Sequence, residues 1–129
     1  IETGDIQIIG HPGNPNFPID IGEVIRAAKD NNVVLEVNNS SFKGSRSGSS
    51  PICKQVLEMT DQLDWKVVFS SDAHVAYDIG NDASSSACAE EVGFPVERIV
   101  NRDAHHFLAF LAQHNKPVAT ELQDWLAAL

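Results

Sequence analysis

Positive charge is what this chain has least of. Nine lysines and arginines stand against eighteen aspartates and glutamates in 129 residues, a formal net charge of −9. The nine form no cluster, which counts against electrostatically driven binding to nucleic acid or to an anionic membrane, although bound cations would change that balance locally. Cysteine is nearly as scarce. Cys53 and Cys88 lie far apart, form no CxxC pair and sit in helical patterns, so they imply reduced thiols and no disulfide framework. No apolar run approaches the roughly 18 residues of a membrane span, and no signal-peptide pattern opens the chain. Because it starts at Ile1 rather than at a methionine, with an apolar strand pattern almost at once, a piece of a longer, cytoplasmic protein is the expectation. The length suits one compact unit, or part of one, without a second domain.

The most informative stretch is Lys66 to His74, KVVFSSDAH. Val67, Val68 and Phe69 form a short β-branched and aromatic run of the kind that makes a buried strand. If the extended chain continues, Asp72 and His74 point the same way, because side chains alternate with period two. A carboxylate and an imidazole together suit a divalent zinc, manganese or iron ion. Two plainer roles compete: Asp72 as the cap of a following helix and His74 as a surface residue.

Ile6 to Gly10 makes a first strand and delivers His11 into HPGNP, where Pro12, Gly13 and Pro15 forbid regular structure. Asp20 caps a helix from Ile21 to about Asp30, with Ile21, Val24, Ile25 and Ala28 on one face. Val33 to Val37 is the second strand, followed by Asn38 and Asn39, and Glu36 interrupts its apolar run. A carboxylate inside a strand needs a partner or an internal polar site, which suits a residue that supports a metal ligand. Ser40 to Ser50 has the composition of a flexible linker. It also suits a loop over a site, with Lys43 and Arg46 supplying cations for an anion.

A second helix starts at Ser50–Pro51 and runs to Leu63, and the third strand follows Trp65. A weaker helix spans Ala83 to Val92 and ends at Gly93. Arg98 to Val100 is expected as a fourth strand, and Asp103 to Gln113 as a helix burying Phe107, Leu108, Phe110 and Leu111. His105 and His106, adjacent on that helix, face apart and are structural. A short tail helix, Glu121 to Leu129, is expected to turn Leu122, Trp125 and Leu126 inward.

Strands alternating with helices imply parallel α/β units joined by right-handed crossovers, with a site beyond the strands' C-terminal ends. His11, Asn38, Asp72 and Asn101 each stand at such an end. That convergence makes His11, Asp72 and His74 the candidate metal ligands, with Glu36, Asn38 and Asn39 orienting them.

GHPGNPNFPID, LEVNNSSFKGSRSG, SSDAHVAYDIG and FPVERIVN together resemble the closing segments of the polymerase and histidinol phosphatase (PHP) family, in particular its YcdX-like phosphatases. The resemblance covers nearly the whole chain. It implies a distorted seven-stranded β/α (TIM-like) barrel, of which this would be the C-terminal half, and up to three bound Zn2+, Mn2+ or Fe2+ ions. By that resemblance His11, Asp72 and His74 are metal ligands, with Asp72 and His74 serving different metals. The HxH pair, further histidines and bridging glutamate that the family carries before HPGNP are not in this sequence. The activity implied is hydrolysis of a small phosphorylated substrate by metal-activated hydroxide, possible in a homo-oligomer; the isolated fragment is expected to be inactive. A nuclease or polymerase-associated role is the nearest alternative. A non-enzymatic metal-binding or interaction domain is the other, should the upstream ligands not exist.

Overall fold

Apolar runs at Ile8–Ile9, Val34–Asn38 and Val67–Ser70 become strands β1, β2 and β3 of one parallel sheet, in that spatial order. The computed structural model describes residues 1–43 and 48–129. Register pairs Ile8 with Val34 and Ile9 with Leu35, then Glu36 with Val68 and Asn38 with Ser70. β1 is shorter than the expected Ile6 to Gly10. His11, with φ of 54°, turns the backbone into the left-handed region directly after Gly10 and ends the extended run there.

Helices α1 (Ile21–Asp30), α2 (Ser49–Gln62), α3 (Ala83–Val92) and α4 (Ala104–Gln113) fall where the periodicity puts them. Asp20 caps α1 by accepting from the Glu23 N–H, and Asp103 caps α4 by accepting from the His106 N–H. Gly93, at φ of 70°, closes α3 in the left-handed conformation that a glycine adopts without a Cβ clash.

Alternation along the strands then sorts the core. Val33, Leu35, Val37, Val67 and Phe69 pack with Ile25, Cys53, Leu57 and Ala89, so α1, α2 and α3 all cover one face. Ile25 and Leu57 are fully buried, each stabilising by about 1.5–3 kcal/mol. On the other face Val34, Val68 and Val100 meet Phe110 of α4. Phe110 and Leu108 are buried as expected, whereas Phe107 and Leu111 are only partly so.

Two expectations fail. The fourth strand reduces to a single parallel bridge between Val67 and Ile99. Val96–Arg98 is instead a 3-10 turn, held there by Arg98, whose guanidinium reaches Asp61 and Asp64 at the end of α2. Val100 N–H still donates to Val67 O, and from there a side chain replaces the ladder: Asn101 Oδ1 accepts from Phe69 N–H and its Nδ2 donates to Phe69 O. The tail also breaks into two short helices, α5 (Val118–Glu121) and α6 (Gln123–Leu126). Leu122 and Trp125, expected inside, are exposed. Among the described residues no helix is long and apolar enough to cross a membrane.

Candidate functional site

Three adjacent strand ends build the site. β1 is followed at once by Gly10 and His11. The turn beyond them packs against α2 so closely that a Cβ at Gly13 would lie 2.7 Å from Cys53 Sγ. β3 is followed by Ser71 and Asp72. His11 and Asp72 both adopt positive φ, 54° and 51°, a conformation that costs a non-glycine residue about 1 kcal/mol or more and persists where the surroundings dictate it. The result is convergence: His11 Nε2 lies 3.8 Å from Asp72 Oδ2 and 4.0 Å from Glu36 Oε2.

Glu36, on the middle strand, shows what dictates the turn at His11. Its Oε2 accepts from the His11 backbone N–H at 2.7 Å, and its Oε1 accepts from Ser70 Oγ on β3. One carboxylate thus ties all three strand ends together, which accounts for an acid inside an apolar strand. Ser70 was missed in the sequence. Its only signal was its place directly after the Val67–Phe69 run, and its partner became visible only with the β2–β3 register.

Asn38, buried at the end of β2, has its amide direction set on one side by the Ser41 N–H, which donates to Oδ1 at 3.2 Å. Nδ2 therefore faces His11 Nε2, also at 3.2 Å. Asn39 turns away from this centre. Its Oδ1 accepts from the Ser84 and Ser85 N–H groups, capping α3 from a distant loop, so the structure gives it an architectural bond rather than contact with a candidate ligand. Ser40 Oγ donates to Ser71 O and holds the loops after β2 and β3 together.

The extended backbone expected to aim Asp72 and His74 the same way does not continue that far. β3 stops at Ser70 and Asp72 is left-handed, so the period-two alternation behind that expectation is broken. Instead His74 Nδ1–H donates to the Asp72 carbonyl at 2.8 Å. In the neutral ring this leaves the lone pair on Nε2, the arrangement found behind many metal-bound histidines. Asp72 is no helix cap either: Val75 precedes the next 3-10 turn, Ala76–Asp78, and Asp82 occupies the cap position of α3. Asn101, the fourth strand-end residue, is committed to the Phe69 backbone. His106 is likewise structural, its Nδ1 bonded to the Asp103 carboxylate. Lys43 is exposed just beyond the 3-10 turn Asn39–Phe42, and Arg46 lies outside the described residues.

Whether these groups suit a divalent cation is a question of donor kind and spacing. Two ligands about 2.0–2.2 Å from one ion stand at most ~4.4 Å apart, a limit that His11 Nε2 and Asp72 Oδ2 meet. An imidazole nitrogen facing carboxylate oxygens is an arrangement that a cation stabilises. They fit as part of a ligand set: among the described residues no group of three or more His, Cys, Asp or Glu side chains is arranged to hold a metal.

No protein-family profile matches the chain. Curated bacterial proteins do. It is 42% identical over 125 residues to a probable phosphatase of Edwardsiella ictaluri, covering 97% of this chain and 51% of that protein. It is 45% identical over 112 residues to a probable phosphatase of Shewanella pealeana, covering 87% and 45%, and 40% identical over 122 residues to one of Photobacterium profundum, covering 95% and 50%. The chain spans about half the length of the curated relatives it matches.

Proposed function

We propose that this chain is part of a metal-dependent phosphoric ester hydrolase of the PHP type, acting on a small phosphorylated substrate. The observation that carries the reading is the meeting of His11 Nε2 with Asp72 Oδ2, 3.8 Å apart at the C-terminal ends of parallel strands, in a chain whose relatives are named probable phosphatases. The parallel strand order is compatible with a barrel segment. The order β1, β2, β3 with the crossover helices α1 and α2 on one face is that of consecutive barrel units, and equally of one half of a doubly wound sheet, while α4 covers the other face.

His11, Asp72 and His74 are the residues that would hold divalent ions, Zn2+ first and Mn2+ or Fe2+ otherwise. Bound ions of this kind supply hydroxide near neutral pH and stabilise charge on the phosphoryl oxygens. The chain's own part is positional. Glu36 holds the His11 backbone, the Asp72 carbonyl turns the His74 ring, and Lys43 offers an exposed ammonium to a phosphate.

The test is Asp72→Asn in the full-length protein, with elemental analysis beside hydrolysis of p-nitrophenyl phosphate. Exchanging an anionic ligand for a neutral one of the same shape should empty or misplace at least one metal and lower the rate by orders of magnitude. Unchanged metal content with an unchanged rate overturns the reading.

A further inference from the structure

We infer that Asn38 is a positioning residue that sets the tautomer of His11, keeping Nε2 free of a proton. The inference takes its purpose from the metal-site reading above, but its argument is independent of any metal. A backbone N–H can only donate, so the Ser41 N–H at 3.2 Å identifies its Asn38 partner as the amide oxygen. The amide nitrogen, which can only donate, is then the atom 3.2 Å from His11 Nε2. Nε2 must accept, and in the neutral ring the proton resides on Nδ1.

The two carboxylates near the ring favour positive charge there but are placed too far from Nε2 for a direct bond. At 3.8 Å and 4.0 Å, Asp72 Oδ2 and Glu36 Oε2 are beyond hydrogen-bond range of Nε2, so neither holds a proton there by a direct bond. The two partners differ in rigidity. Asn38 is 1% exposed on the central strand, whereas the His11 side chain is 41% exposed. A fixed donor thus orients a half-exposed ring, while Glu36 fixes the backbone beneath it. His74 reaches the same tautomer by another route, through its own backbone at Asp72. Both rings therefore present an Nε2 lone pair. At His11 that lone pair is shared with Asn38, so the nitrogen that would hold a cation is the one the amide orients.

Nitrogen-15 NMR of the imidazoles in labelled, chelator-treated full-length protein at pH 8 tests this, with His11→Ala assigning the ring. His11 should show a protonated Nδ1 and an unprotonated Nε2. Asn38→Asp should reverse the pattern, since its second oxygen accepts where the amide donated, and Asn38→Leu should give both tautomers. A proton on Nε2 in the unaltered protein overturns the inference whether or not the variants fold, and so does an unreversed Asn38→Asp. Zinc added to the same samples separates the two readings. If the tautomer is as assigned but zinc leaves Nε2 unmoved, the metal-site reading falls and the tautomer assignment stands. If zinc moves Nε2 but the tautomer is wrong, the reverse holds.

Discussion

Replacing Asn101 with alanine removes two bonds to the Phe69 backbone. The side chain accepts from Phe69 N–H at 2.9 Å and donates to Phe69 O at 2.7 Å, at a residue only 6% exposed. Leaving a buried polar group unsatisfied costs about 1–3 kcal/mol, so two such groups set an upper range of roughly 2–6 kcal/mol. A cavity of about 350 Å³ lined by Phe69, Ser70 and Asn101 adjoins the site, and water entering it recovers part of that loss. We therefore expect a destabilisation of about 2–3 kcal/mol. In urea, with a slope of about 2 kcal/mol/M, the midpoint should fall by about 1–1.5 M at constant slope. Asn101→Asp should lose more at neutral pH, because a carboxylate oxygen would face the Phe69 carbonyl. It should recover in acid, where the protonated carboxyl again donates. A midpoint within ~0.2 M of the unaltered protein for Asn101→Ala would refute the idea that a side chain stands in for the missing strand.

Glu36→Gln keeps the shape and can still accept from the His11 N–H while donating to the Ser70 hydroxyl, so what it loses is the charge that strengthens both bonds. It should cost about 2 kcal/mol by urea titration and loosen His11, seen as broadening of its ring resonances. Burial pushes the Cys53 thiol up to about 11, against which its bond with Ser41 works, so alkylation by iodoacetamide at pH 8 should be slow in the folded protein and fast in urea. The unfolded thiol loses its proton first. Cys53 therefore contributes stability that is intact below about pH 9 and declines towards about 11, a decline that Cys53→Ser should lessen in a pH series of urea midpoints.

The helices were legible because their causes are local. Asp20 before an i, i+3, i+4 apolar face and Gly93 after Ala83–Val92 define ends that need no distant partner. The strands were legible as apolar runs, and with them the placement of His11, Asn38 and Asp72 at the C-terminal side of the sheet. What a run of residues does not carry is register. Only the pairing of Asn38 with Ser70 shows that Glu36 bonds across both neighbouring strands, and only the fold shows that Arg98 prefers Asp61 and Asp64 to a strand conformation. The same holds within the candidate site. Sequence by itself determined which donor types stand at the strand ends, because that follows from where the apolar runs stop. Tertiary structure decided their directions: His11 and Asp72 are turned together by left-handed backbone, His74 is drawn onto a carbonyl, and Asn39 and Asn101 are taken up by the architecture. At His11, Asn39 and Asn101 direction depends on hydrogen bonds between residues 25 to 46 positions apart, which no local pattern encodes; at His74 it depends on a bond to Asp72 that the left-handed turn there allows.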